Sequence, residues 1–199
     1  MNLTIEPRVC VSRSDDFAMT HFYSPIKFNL GSELSEEWDE LEEKEDEPKE
    51  IGHILATRFD YSYDGDRLIH LADTRDGDIV FFANFFLMDK NLLDEYNVYP
   101  SYLFYIEKVF IQPQYRGYDY ALKALAMFLE LFAKEQVVGC HPCPLDDLKD
   151  KYSDKQGKNL MKRYWSKLGL TNYSEKHNIL WTPEWFMPTW LKSLIFSYE

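Results

Sequence analysis

Leu103-Phe104-Tyr105-Ile106-Glu107-Lys108-Val109-Phe110-Ile111, followed by Gln112-Pro113-Gln114-Tyr115-Arg116-Gly117-Tyr118-Asp119-Tyr120-Ala121, is the part of the chain that decides its fold. The first half is rich in Val, Ile, Tyr and Phe and alternates only loosely, which fits a strand buried over most of its surface. Beyond the turn, Leu122, Leu125, Ala126, Leu129 and Phe132 recur at helical spacing and predict a helix. A strand that feeds a helix through a turn carrying an Arg makes an anion site. The first N–H groups of a helix have no internal partner, and its dipole is positive at that end.

The turn contains neither G-x-x-x-x-G-K-[ST] nor G-x-G-x-x-G, so it is not a P-loop or a dinucleotide-binding fingerprint. A strand ending in Ile111-Gln112-Pro113, then Tyr115-Arg116-Gly117 and a helix, resembles motif A of the GNAT N-acetyltransferases. In that family R-x-x-G-x-G/A binds a pyrophosphate. Here the positions are Arg116, Gly117, Tyr118, Asp119, Tyr120 and Ala121, with Asp119 where the family usually has Gly. Gly lets the backbone approach a phosphate, whereas Asp places a like charge beside it. Further on, Tyr164-Trp165-Ser166-Lys167-Leu168-Gly169-Leu170 resembles motif B, with Lys167 in the last helical turn and Gly169 as its C-cap. The two stretches lie about 45 residues apart, room for the helix, strand and helix the family places there. The resemblance covers residues 50–181. The 139–145 segment and the Tyr164-Trp165 pair resemble a GNAT-like group in which P-[FC]-P-L follows the fifth strand.

The resemblance implies an acyl-CoA N-acyltransferase fold of α/β (α+β) class: a central mixed, mostly antiparallel sheet flanked by helices. It implies one domain over residues 1–182, acetyl-CoA as co-substrate, no metal, and a primary amine as acceptor. Arg116 and the backbone of Gly117, Tyr118, Asp119, Tyr120 and Ala121 would hold the pyrophosphate. A backbone N–H of Val109, Phe110 or Ile111 would polarise the thioester carbonyl. Glu107 is the candidate base: it is the one carboxylate in an apolar strand, where burial raises its pKa. Its other reading is a strand carboxylate paired with Lys108 or facing solvent. The family's motif B Tyr aligns with Trp165, which is no acid. Tyr164 beside it is the candidate proton donor, with a core role as the alternative. The runner-up function is a degenerate GNAT-fold interaction protein with weak or no CoA binding.

Composition sets outer bounds. The chain has 199 residues and is 45% hydrophobic, enough for one core. No apolar run reaches membrane-spanning length, and the opening Met1-Asn2-Leu3-Thr4-Ile5 has neither the basic nor the apolar part of a signal peptide. Three cysteines give no disulfide framework, so a cytoplasmic location is expected. A net charge of −12 excludes a nucleic-acid binder held by phosphate contacts. Eleven acids and two lysines between Glu33 and Glu50 concentrate that charge in an acidic insertion. Leu34, Trp38 and Leu41 share one helical face there, with Pro48 as the stop; the family's order puts this insertion between the first two strands. It reads as a solvated face or as a rim steering a small-molecule or peptide amine, cationic in character, toward the site. Cys140-His141-Pro142-Cys143 lacks a second Cys or His pair for zinc, and redox activity needs a thiolate-stabilising setting.

Elsewhere, Leu3–Val11 reads as a strand, Phe17–Leu30 as irregular, and Ile51–Asp60 as a strand. Tyr63-Asp64-Gly65-Asp66 reads as a hairpin turn returning through Leu68–Ala72. Residues 79–96 end in a helix, Gln136–Cys140 and Ile179–Trp181 are strands, and residues 183–199 form an amphipathic tail. That tail packs on the domain or serves a homodimer.

Overall fold

The structure is a computed structural model that describes residues 2–10, 18–29, 48–88, 90–144, 149 and 151–196. Its strands are β1 (Asn2–Ile5), β2 (Arg8–Cys10), β3 (Met19–Asn29), β4 (Lys49–Asp60), β5 (Tyr102–Ile111), β6 (Val137–Cys140), β7 (Asn172–Ser174) and β8 (Ile179–Thr182). The helices are α1 (Gly65–Asp73), α2 (Gly77–Leu87), α3 (Lys90–Asp94), α4 (Tyr120–Phe132), α5 (Asp154–Ser166) and α6 (Thr189–Phe196). The strands form one open sheet in the order β1-β3-β4-β5-β6-β8-β7, with β2 paired to β3 beyond the end of β1. β5 and β6 run parallel and the other described pairs antiparallel. The parallel pair needs a crossover, which α4 supplies. The molecule is therefore mixed α/β, with a mostly antiparallel sheet flanked by helices.

Each face of the sheet has its own core. On one, Phe22, Ile54, Phe104 and Ile106 pack against Leu122, Leu125 and Phe128 of α4 and Trp165 of α5. On the other, Phe59, Leu103, Tyr105 and Trp181 pack against Leu68, Phe82 and Phe86 of α1 and α2. β3, irregular in the sequence pattern, does alternate in burial: Phe22, Ser24, Ile26 and Phe28 are buried, while His21, Tyr23, Lys27 and Asn29 are half-buried. Ser24 on the buried side and Tyr23 and Pro25 on the other hide that period of two in the sequence. Pro25 is accommodated because β1 and β2 break at Glu6-Pro7, opposite it, where the outer ladder stops. The same break divides the expected strand over Leu3–Val11.

Leu68–Ala72 is helix, not strand. Asp64-Gly65 begins α1, and Leu68 and Ala72, one helical turn apart, are both buried. α2 follows at once because the Asp76 side chain accepts the Asp78 N–H at 2.8 Å and caps it. The hairpin of α1 and α2 thus covers the face that a third strand was expected to extend. The acidic insertion joins β3 to β4, which pair antiparallel, and not the first two strands. Lys49 and Glu50 already belong to β4. Leu34, Trp38 and Leu41, with their expected helix and steering rim, lie outside the described residues.

At the other end, Trp185 is fully buried in the α4 core and its Nε1 donates to Leu168 O at 2.9 Å. Main-chain bonds join Trp185 to Glu135 and Gln136. Residues 183–188 are therefore bound into the sheet's flank, and the tail helix begins only at Thr189. Among the described residues no helix is long and apolar enough to cross a membrane.

Candidate functional site

β5 and β6 pair from Leu103 with Val137 to Ile106 with Cys140 and then part. β5 continues to Ile111, while Pro142 and Pro144 turn the other chain away after β6. Neither proline can donate to a ladder. Cys143 N–H instead closes a tight turn on His141 O at 2.8 Å. The strands open into a cleft of about 300 Å³, within the range of small-ligand sites. α5 forms its roof through Leu160, Met161, Tyr164 and Trp165. That helix is started by a capping box between Ser153 and Gln156. Gly157 lets it lie against Pro144, whose Cγ would stand 2.9 Å from an added Cβ.

A bulge decides what enters the cleft from β5. Ile106 pairs with Ala56 and Lys108 with Leu55, so Glu107 is an extra residue with no partner on β4. Ile106, Val109 and Ile111 face the α4 core, while Glu107 and Lys108 are consecutive exposed positions. Glu107 makes no ion pair with Lys108. It lies toward α1 and α2, open to solvent through the cleft yet crowded by side chains. That crowding raises its pKa above the usual carboxylate range. A hydrogen bond from the Thr57 hydroxyl opposes the rise, Asp76 adds to it, and Arg75 opposes it.

The anion end lies at the start of α4. Gly117 has φ 95° and open space where a Cβ would stand, so a glycine is needed for the backbone and leaves the approach clear. Asp119 occupies the left-handed region, at φ 55° and ψ 20°, and makes no side-chain cap bond. The first bond reaching back from the helix is Lys123 N–H to Asp119 O at 3.0 Å. The amides of Gly117 to Ala121 have no backbone partner among the described residues. Arg116 is half-buried; its Nε donates to Ile111 O at 2.8 Å and its guanidinium lies over the Phe110 ring. Arg116 therefore braces the turn as well as charging it.

The cleft gathers both candidate catalytic residues, Glu107 and Tyr164, and seven of the nine candidate cofactor residues: Val109, Ile111, Arg116, Gly117, Asp119, Tyr120 and Ala121. Phe110 and Tyr118 do not line it. The Phe110 ring stacks on His53 in a ladder that continues to Tyr23. Tyr118 stacks on Tyr120 and is 64% exposed. The Tyr164 phenol is pushed up to about 12 by burial first and then by the Asp119 carboxylate, against the Leu122 backbone. It is a protonated hydroxyl at neutral pH, close to the start of α4.

Sequence reasoning missed His141, at the end of β6. Its Nδ1 lies 3.1 Å from Asn178 O and can only be the donor to that carbonyl. Burial lowers its pKa, against Asp78, so the ring is neutral. The one signal for it was its place in the Cys140-His141-Pro142-Cys143 run. Cys140 is not poised for redox work: it is buried on a strand and its thiol is pushed well up by that burial. Among the described residues no group of three or more His, Cys, Asp or Glu is placed to hold a metal ion. Comparison of the chain with family models, with curated proteins and with solved structures returns no match.

Proposed function

We propose that the chain is an N-acyltransferase of GNAT type that transfers an acetyl group from acetyl-CoA to a primary amine. The observation that carries this reading is the parting of parallel β5 and β6 into a cleft. One end of it holds the open amides of α4, and the bulged Glu107 lines it as well.

The residues present fit such a donor. The edge of β5 from Glu107 to Ile111 has lost its β6 neighbour, so an extended, amide-bearing arm can add to it as a strand would. The amides of Gly117 to Ala121 would hold the pyrophosphate, with the clear approach at Gly117. When bound, acetyl-CoA supplies an activated acyl group. The chain's own residues supply the rest. Amines are largely protonated near neutral pH, and Glu107, its pKa raised, takes the proton that must leave before the nitrogen attacks. A backbone N–H of Val109, Phe110 or Ile111 on the unpaired edge polarises the carbonyl. As the C–N bond forms the C–S bond breaks, and Tyr164 or water returns a proton to the thiolate. Asp76 and Asp78 beside Glu107 and His141 favour a cationic small-molecule or peptide acceptor.

Calorimetric titration with acetyl-CoA tests the reading: a low-micromolar constant supports it, and no heat at millimolar ligand refutes it. The second reading is a degenerate GNAT-fold interaction protein. What favours it is the Asp119 carboxylate at the anion end, with Trp165 where the family has its acid. The same titration separates the two.

A further inference from the structure

His21 on β3, Thr57 on β4 and Glu107 on β5 lie side by side across three strands. His21 is the register partner of Thr57, and Thr57 is the partner of Tyr105, two residues before Glu107. Their side chains form one chain of hydrogen bonds. The Thr57 hydroxyl donates to Glu107 Oε1, and His21 Nδ1 lies 2.7 Å from Thr57 Oγ1. Proton counting orients it. A hydroxyl has one proton and two lone pairs. With that proton given to a carboxylate, Oγ1 can only accept from His21, so Nδ1 carries the hydrogen. Thr57 is fully buried, so no solvent competes for its hydroxyl.

We propose that His21 and Thr57 form a positioning relay for Glu107, the imidazole N–H fixing the hydroxyl and the hydroxyl holding Oε1, so that Oε2 is presented to the acceptor's proton. The relay's role rests on the acyl-transfer reading; its geometry does not. The bulge gives the relay its purpose. An unpaired residue on an exposed strand position lacks ladder neighbours to fix its rotamer, and a base one ångström out of place loses much of its rate. Thr57 is the one hydrogen-bond partner of Glu107 among the described residues. The other groups facing the carboxyl act through charge or contact. They are Arg75 and Asp76 from the turn between α1 and α2 and Tyr105 on β5, while Lys108 and His141 share the lining of the cleft. A hydrogen bond given to the ionised carboxylate also keeps Glu107 from drifting too high to serve as a base.

The test is a carbon-13 NMR titration of the Glu107 carboxyl in the ligand-free full chain, its resonance identified by its loss in Glu107→Gln. Thr57→Val keeps the shape and removes the donor. The expected result is a rise of about 1 unit or more in the Glu107 pKa, the lower end of one charged hydrogen bond. Thr57→Ser returns it to the wild-type position. A smaller rise in Thr57→Val, or a Thr57→Ser titration like that of Thr57→Val, overturns the relay. Should Thr57→Val not fold, nitrogen-15 spectra of the wild-type imidazoles decide: His21 protonated on Nδ1 supports the relay, and a bare Nδ1 overturns it. None of these measurements uses acetyl-CoA. A protein that fails to bind the co-substrate loses the acyl-transfer reading while the titrations stand, and a failed relay leaves co-substrate binding untouched.

Discussion

Asp119 is the residue on which the anion site turns, and three substitutions separate its effects. Its backbone sits at φ 55° and ψ 20°. Left-handed geometry costs a residue with a Cβ roughly 1–2 kcal/mol. Asp119→Gly removes that cost but adds about 0.5–1 kcal/mol of chain entropy in the unfolded state. The net stabilisation is about 0–1.5 kcal/mol, at most about 6 °C in Tm for a chain of this size. Asp119→Asn tolerates the same geometry and leaves stability nearly unchanged. Asp119→Ala keeps the strain and loses the polar side chain, so it is the least stable of the three. Affinity follows a different order because it reads charge. A carboxylate about 8 Å from a phosphate repels it by about 0.5–2 kcal/mol for effective dielectric constants of about 80 to 20, roughly 2- to 30-fold in Kd. All three variants lose that charge, so all three bind CoA tighter by calorimetry. The gain shrinks as salt is raised, because a Debye length is about 8 Å at physiological ionic strength. Wild-type affinity in both Asp119→Asn and Asp119→Gly would refute the reasoning, since the carboxylate would then not face the phosphates.

Three further outcomes are expected. Arg116→Ala weakens CoA binding by about 1.5–3 kcal/mol in titration, the scale of a charged hydrogen bond, and also lowers Tm because Ile111 O loses its Nε partner. Glu107→Gln lowers turnover about a hundredfold with CoA affinity near wild type, and abolishes the acidic limb of the rate–pH profile. It also changes stability with a definite sign. A carboxyl whose folded pKa is raised stabilises the fold fully below its unfolded pKa and loses that contribution as pH rises through the folded value, so Glu107→Gln has the higher Tm at neutral pH and the advantage fades in acid. Asp76→Asn keeps an oxygen to cap α2 but removes a charge that raises Glu107; the acidic limb moves to lower pH with the fold intact, and an unmoved limb counts against the placement of Asp76.

What could be read from the sequence was local. The run of Val, Ile, Tyr and Phe before Gln112-Pro113 could only be a strand, and Leu122, Leu125, Ala126 and Leu129 repeat at helical spacing; both elements stand within a residue or two of expectation. Gly169 does take the left-handed region at φ 87°, but the C-cap of α5 is Lys167, and Gly169 ends the extra turn that follows it. The failures have physical causes. Ser24 on the buried side of β3, with Tyr23 and Pro25 on the other, hid its period of two. Asp64-Gly65 serves equally as a hairpin turn and as a helix start, and what chooses is the slot that Leu68 and Ala72 fill beneath the sheet. The relay was out of reach because its members lie 36 and 50 positions apart along the chain and meet only through strand register. Whether Glu107 was buried or faced solvent stayed open for a similar reason: a bulge is a relation between two strands and leaves no mark in one.

The two sides of the proposed site therefore draw on different kinds of information. The donor side is nearly one continuous stretch, from the free edge of β5 through the turn to the first amides of α4, roofed by α5. Local chemistry specifies it: apolar strand, Pro, Arg, Gly, helix. The acceptor side is assembled from distant pieces, the cap of α2 at Asp76 and Asp78, Glu107 on its bulge, and His141 where the prolines end β6. Asp76 shows how tightly stability and chemistry are joined there. The carboxylate that starts α2 is also a negative charge felt by Glu107, so the hairpin that closes one core also raises the pKa of the proposed base. A change of acceptor in a related chain would need this hairpin rebuilt, with its cap and its charge altered together, while the donor side could stay as it is.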